Sequence, residues 1–302
     1  MSLLSDTNHS PQRVFALLRL LDVQGGELDF ETVKAWFKPP FRGGPPQESD
    51  GDHTNIRQLL GAASSLGMIE STAQNRYRLV GRPPETLAEF ADAVHDHLIQ
   101  VDWDNADSIV LEAYAAMVAI TEVEEGTSWL DLNTKDRAMR INDAVRHRVK
   151  ESEDENSKRF NSTKASPWKR WILFLGLGIP MSKSDLYPYP VQRLQREIER
   201  GHAEKNVLGQ IEIEPFLAFV SARLPYLDGG RLFQSAVDQL RLPPLERRLT
   251  RVLTAALRDL HDDKRLILET IGDAKQSYSL SGEPHAVRNV KSVHLTLEAP
   301  RA

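Results

Sequence analysis

The chain has 302 residues, a formal net charge of −5 and no cysteine. That length suits about two or three compact units, and the negative balance argues against a protein that coats nucleic acid. The lack of cysteine removes disulfides, thiolate nucleophiles and cysteine-ligated zinc, and fits a reducing cytoplasm. A 40% hydrophobic, 27% charged composition is an ordinary balance able to bury cores. The longest apolar run, Trp171 to Ile179, stops at Pro180, well short of the roughly 20 residues of a membrane span. The start, with Asp6, Asn8 and His9, does not read as a signal peptide. A cytoplasmic protein with no membrane partner is expected.

The charge is unevenly distributed. Residues 1–82 carry nine basic and nine acidic side chains, whereas residues 83–165 carry nine basic and eighteen acidic, a net of −9. Residues 166–240 come to +1 and residues 241–302 to +3. The acidity belongs to one middle segment, and both ends remain able to present positive faces to phosphates.

In chain order, Pro11 stands at a helix-start position, and Val14, Leu17, Leu18 and Leu21 give a first helix ending at Gly25-Gly26. Asp29 caps a second helix over Phe30 to Phe37, closed by Pro39-Pro40. Phe41 to Asp52 is too rich in turn residues to be regular and reads as a long loop. The most informative stretch follows. Ile56, Leu59, Leu60, Ala63 and Leu66 form one apolar helical stripe, with Thr54 or Asn55 as cap and Gly67 as the left-handed turn that ends it. Met68 to Glu70 and Tyr77 to Val80 are then two short strands joined by the polar loop 71–76. Helix, turn and two-stranded wing make the second half of a winged helix-turn-helix, which sets a helix into a DNA major groove. Arg82-Pro83-Pro84 closes this first domain, residues 1–82.

Residues 83–165 read as an acidic helical segment. Thr86 to Ile99 is amphipathic, Ser108 to Val123 is apolar enough to be a buried central helix, and Thr134 to Val149 is helical and basic. The polar run Glu151 to Lys164 reads as a mobile linker. A helical domain at 166–240 holds Trp168 to Leu175, Val191 to Arg200 after Pro188 and Pro190, Ile213 to Leu224, and Arg231 to Leu240. Residues 241–302 repeat the opening pattern. Pro243-Pro244 starts a helix carrying Leu245, Leu249, Val252, Leu253, Ala256, Leu257 and Leu260, followed by a turn at 261–264. A wing of Leu266 to Thr270 and Ser277 to Leu280 comes next, with Val290 to Leu297 as an added strand. The expected fold class is therefore mainly α, with a helical middle flanked by N-terminal and C-terminal winged helix-turn-helix domains.

Catalytic signatures are sparse. There is no G-x-x-x-x-G-K-[ST] loop, no G-x-S-x-G elbow and no H-E-x-x-H pair. Gly176-Leu177-Gly178 runs into proline and reads as a helix C-cap, not a phosphate cradle. His95 and His97 stand on opposite sides of a helix, so a solvated face explains them better than a metal set. Asp102, Asp104 and Asp107 lack the pattern of a calcium loop, so Asp104 or Asn105 reads as a turn or cap residue. Glu212 and Glu214 lack the lysine and partner aspartate of a nuclease. No catalytic residue, metal or cofactor is expected.

The nucleic-acid candidates are Arg57 and Gln58 in the first turn of the N-terminal recognition helix, and Arg76 and Arg78, flanking Tyr77, on its wing. In the C-terminal copy they are Arg247, Arg248 and Arg251, clustered on one helix, with Lys275 and Gln276 in the wing. Winged helices also dock proteins, and that alternative stands beside DNA contact for each copy.

The order of these pieces resembles the DpdG-like family of bacterial Dpd gene clusters, which place 7-deazaguanine bases in DNA and restrict unmodified DNA. The resemblance rests on the N-terminal winged helix, the Trp168-Lys169-Arg170-Trp171 helix running to Gly178, and Pro188 to Leu194. It also rests on Phe216 to Gly230, with Leu224-Pro225-Tyr226-Leu227-Asp228-Gly229-Gly230, and on the C-terminal winged helix. It implies an accessory defence subunit, with no catalytic residues to carry over. The expected function is a non-catalytic adaptor, contacting double-stranded DNA weakly and positioning a separate ATPase or nuclease. The alternative is a stand-alone winged-helix transcriptional regulator.

Overall fold

Capping side chains start several helices where the sequence places them. The computed structural model describes residues 2–5, 10–37, 50–72, 75–147, 158–181, 186–205, 209–270, 277–282 and 284–296, with 50–53 as backbone only. Ser10 accepts from the Arg13 amide at 3.4 Å and begins α1 (Pro11–Val23). After β1 (Glu27–Asp29), Asp29 accepts from the Thr32 amide and hydroxyl, both at 2.9 Å, at the start of α2 (Phe30–Phe37). The chain continues through α3 (Asp50–Ser65), β2 (Ile69–Thr72) and β3 (Arg76–Leu79). Thr86 caps α4 (Leu87–Gln100), and α5 (Ile109–Val123), α6 (Thr134–Asp143) and α7 (Ser162–Phe174) follow. Next come β4 (Gly178–Pro180), β5 (Leu186–Pro188), α8 (Val191–Ala203), β6 (Gln210–Glu212), α9 (Ile213–Arg223) and α10 (Arg231–Leu240). The last elements are β7 (Arg248–Leu249), α11 (Arg251–Asp262), β8 (Leu266–Glu269), β9 (Tyr278–Leu280), β10 (Asn289–Val290) and β11 (Ser292–Leu295). The fold is mainly helical with small sheets.

The chain divides into two compact units, Met1–Val110 with Ser166–Leu175, and Leu111–Ala165 with Gly176–Ala302. In the first, α1 and α3 pack their apolar stripes together, burying Val14, Leu17, Leu18 and Leu21 against Ile56, Leu59, Leu60 and Ala63. An aromatic series extends this core: Phe15 lies 5.7 Å from Phe90, Phe90 lies 5.3 Å from Phe174, and Trp171 stands edge-on to Phe174 at 6.1 Å. Gly67 has φ +67° and ends α3 as expected, its neighbour Met68 donating to the Ala63 carbonyl at 3.1 Å. The buried Asp107 carboxylate accepts from the Leu3 amide at 2.7 Å and from the Ser65 hydroxyl.

Two expectations for this unit change, and one unexpected strand is added. Helix α3 begins at Asp50, so neither Thr54 nor Asn55 caps it and 50–52 are helical, while 41–49 of the expected loop lie outside the described residues. Strand β1, three residues between Gly26 and α2, is too short for its Glu-Leu-Asp alternation to set it apart in the sequence, yet it completes the sheet in the order β1-β3-β2. Helix α7 starts at Ser162 and carries Pro167 inside it, its ring buried, instead of beginning at Trp168.

In the second unit α5 is buried along almost its whole length. Helix α6 stops at Asp143, short of the expected Val149, because the chain tightens through Ala144, whose amide turns back to the Ile141 carbonyl at 3.1 Å. The expected mobile linker is packed where it is described. Phe160 is fully buried, its amide donates to Asn142 Oδ1 at 3.0 Å, and buried Arg159 grips Glu112 through two bonds of 2.6 and 2.9 Å.

Here α8, β6, α9, α11, β8 and β11 follow the order helix, strand, helix, helix, strand, strand, with the sheet arranged β6-β11-β8. This is the order of α1, β1, α2, α3, β2 and β3 and of their sheet β1-β3-β2. The second set differs by two insertions, α10 with β7 before its third helix and β9 with β10 before its last strand, which join as a sheet of order β10-β9-β7. The helix expected from Pro243-Pro244 starts instead at Arg251, capped by Thr250. The expected pairing of 266–270 with 277–280 does not form, since β8 pairs with β11 and β9 with β7 and β10.

Arg159→Ala is expected to leave the Glu112 carboxylate buried without its partner, costing about 3–5 kcal/mol. Urea unfolding of the variant beside the parent measures this. A loss well under 1 kcal/mol would show that the 158–160 segment does not anchor the unit.

Candidate nucleic-acid interface

Strand β3 is the centre of the N-terminal sheet, and its alternation sorts the side chains. Ile69, Leu28, Tyr77 and Leu79 turn inward to varying depth, while Arg76 and Arg78 are exposed. Register then places acids beside both arginines. Arg78 lies opposite Glu27 on β1 and Glu70 on β2, and Arg76 lies opposite Asp29 and Thr72. Arg76 Nε donates to Glu27 at 2.5 Å and Arg78 Nε to Glu70 at 2.9 Å. The hydrogen bond from Arg76 holds the Glu27 carboxyl below its ordinary range, and bonding to Glu27 and Glu70 raises Arg76 and Arg78 in turn. The solvent side of the sheet is thus an alternating field of three carboxylates and two guanidiniums. Sequence reasoning missed Glu27 and Glu70, because their role depends on the unrecognised β1 and on cross-strand register. The alternation of Glu27 with Asp29 was the available signal.

On α3, Thr54, Arg57 and Ser64 are exposed, and Asn55, Gln58, Gly61 and Ser65 are half-buried. The Arg57 guanidinium stands 5.6 Å from the Phe30 ring centre, and no carboxylate pairs with it among the described residues. Gln58 Oε1 is buried without a hydrogen-bond partner among them.

The C-terminal candidates do not form one helical cluster. Arg247 lies in a left-handed turn at φ +48°, Arg248 in β7 and Arg251 at the first position of α11. Each meets acid: Arg247 reaches Glu214 at 3.5 Å, Arg248 reaches Glu122 at 2.9 Å, and Arg251 reaches Glu125 at 3.8 Å. Helix α11 is itself covered, and of its residues Asp262 alone is exposed. Arg258 donates to the carbonyls of Ser281 and Val287 at 3.1 and 3.2 Å, and the Ser281 amide donates to Thr254 at 3.1 Å. The inserted segment therefore lies over the helix that corresponds to α3. Lys275 and Gln276 lie outside the described residues.

The N-terminus of α11 rests on two buried acids. Glu122 Oε2 accepts from the Arg251 amide at 2.8 Å, and Asp228 accepts from the Thr250 amide and hydroxyl, both at 2.7 Å. Asp228 belongs to the turn Leu224–Gly230, which is buried but for Gly229. A Cβ on Gly230 would come within 2.4 Å of the Pro225 carbonyl oxygen. A cavity of about 530 Å³ opens beside this turn between Phe233, Val237, Leu242, Pro244, Arg248 and Tyr278.

The remaining candidates lie apart from these two surfaces in sequence. His95 is fully buried, not on a solvated face, and His97 is half-buried. Asn105 makes a side-chain turn with the Asp107 amide at 2.8 Å. Glu212 and Glu214 are exposed at the start of α9. Gly176 turns the chain directly after α7.

Burial lifts the Asp228 carboxyl to about 6, against the opposing bonds from Thr250. With the folded value above the unfolded one, this group's contribution to stability is complete below about pH 4. It is lost as pH rises through 6, by roughly 3 kcal/mol in all. Thermal unfolding from pH 4 to 7 should show this fall in the parent and a flatter profile in Asp228→Asn. Equal slopes in the two proteins would refute the assignment.

The DpdG-like family model matches residues 1–274. No curated protein and no solved structure matches the chain. Since the match covers far more than half of the sequence, the chain belongs to the DpdG-like family.

Proposed function

We propose that this protein is a non-catalytic accessory subunit of a Dpd system, built on two winged helices that have diverged in use. The first is residues 11–79. The second is drawn from residues 191–295, wider than a domain starting at 241, because its first helix and strand are α8 and β6. The N-terminal copy contacts double-stranded DNA through α3 and the wing, and the C-terminal copy serves as scaffold. Membership of the family supports the system. The observation that carries the division is the contrast between the two third helices: α3 exposes Thr54, Arg57 and Ser64, whereas α11 lies under its own insertion. An ATPase or nuclease subunit is the partner such an adaptor positions.

Neutralising roughly three to five phosphates gives a log–log salt slope of about −3 to −5. In fluorescence anisotropy with a short duplex, Arg57→Ala/Arg76→Ala/Arg78→Ala should weaken binding and flatten the slope. Arg247→Ala/Arg248→Ala should leave both unchanged. Binding that is absent at low salt, or indifferent to salt, would instead favour protein docking by both copies.

The adaptor reading also expects no nuclease or ATPase turnover from the purified protein with magnesium or manganese. Turnover abolished by Glu212→Ala or Glu214→Ala would replace the adaptor with a degenerate nuclease.

A further inference from the structure

The two arginines of the N-terminal wing are held by carboxylates at the surface where the proposed function puts phosphate. We infer that Glu27 and Glu70 are specificity-determining residues of that interface, built-in competitors that a DNA backbone must displace. The inference rests on the nucleic-acid reading of the N-terminal copy.

The geometry is a rung across three strands, Glu27 on β1, Arg78 on β3 and Glu70 on β2, in direct register. A second rung sets Arg76 between Asp29 and Thr72, and Arg76 reaches diagonally to Glu27. The three acids do not have equal roles. Asp29 is committed to the start of α2 through its two bonds from Thr32, so its partner is fixed whether or not the wing is occupied. Glu27 and Glu70 bind the guanidiniums themselves. Thr72 adds only a 3.5 Å contact to Glu27.

All four side chains of the two ion pairs are partly or largely exposed. Exposed pairs of this kind contribute little, so they hold the guanidiniums in place without locking them. A single phosphate offers no more than the carboxylate it displaces. A duplex offers several at fixed spacing, and the Arg57 side of α3 engages at the same time. The freed carboxylates then face the DNA and repel it, which lowers affinity for any polyanion that does not satisfy the whole surface. This fits a protein whose net charge is negative and whose wing face carries more acid than base. The acids suppress adhesion to arbitrary nucleic acid and leave binding to the occasions when helix and wing dock together.

The test uses the full chain and a short duplex of arbitrary sequence. Glu27→Gln/Glu70→Gln keeps an acceptor for each guanidinium and removes both charges. It should bind about two- to thirty-fold more tightly at low salt. The gap should close as salt rises, because the repulsion is screened. The Arg Nε–H resonances of residues 76 and 78 should shift on DNA addition in the parent protein. A purely structural role for the acids would alter unfolding temperature and leave affinity alone. If the parent binds and depends on Arg76 and Arg78, but the double variant binds equally at every salt, the competitor role is overturned while the DNA reading stands. If neither protein binds at any salt, both are overturned.

Discussion

A carboxylate taken out of water must be met by hydrogen bonds or by a cation, and the packing of this protein depends on meeting that condition at several distant points. Asp107 holds the Leu3 amide and the Ser65 hydroxyl, Glu112 holds Arg159, Glu122 holds the Arg251 amide and Asp228 holds Thr250. The partners of Glu112 and Glu122 lie 47 and 129 residues away in sequence. Asp107, Glu112 and Glu122 all belong to α5 or its approach, the most apolar part of the acidic middle segment. Part of that segment's negative charge is thus internal bracing. Such bracing fixes segments that have little apolar surface of their own, as at Lys158 to Phe160, where one arginine and one phenylalanine secure an otherwise polar stretch.

The recurrence of one element order in two places shows how differently a common arrangement can be finished. In the first set no element is described between the second and third helices, and only three residues lie between β2 and β3 in sequence. In the second set both connections carry inserted structure, α10 with β7 and β9 with β10, and the two insertions pair with one another. Their joint product covers α11. Several cations of residues 241–302 are engaged within the fold: Arg258 binds carbonyls, and Arg247, Arg248 and Arg251 each face a glutamate, the first two while exposed. Net charge over a segment says little about what that segment offers to phosphate.

Helices with a clear 3.6-residue stripe were legible in sequence: α1 from Pro11, α2 with its Asp29 cap, α10 in its full extent. Gly67 was legible because only a left-handed turn links that helix to the strand after it. The failures share one cause. Strand β1 is three residues long, β7 and β10 are two, and whether β8 pairs with β9 or with β11 is decided by long-range packing that no local period reports. The start of α11 was misplaced because Leu245 and Leu249 continue its apolar spacing backwards, although the chain there is extended and the cap is Thr250. For the interface, the exposure of Arg57, Arg76 and Arg78 follows from the strand and helix periods. Their electrostatic partners do not, since Glu27 lies 49 residues before Arg76. His95 shows the opposite limit, a polar residue that packing buries within an amphipathic helix.

Under the proposed reading, weak DNA contact suits a subunit that works inside a larger assembly. A partner that already holds DNA raises the effective concentration of duplex at the wing to the millimolar range for a short tether, so an affinity too low to retain free DNA becomes sufficient within the complex. Stronger wing arginines, unopposed by Glu27 and Glu70, would bring the isolated subunit onto any DNA present and uncouple it from its partners. The acid beside each arginine and the burial of α11 act in the same direction, for both reduce what the free protein can bind on its own. If the proposed reading holds, the geometry that keeps the free chain a poor DNA reader leaves its DNA contact to the partner that delivers the duplex.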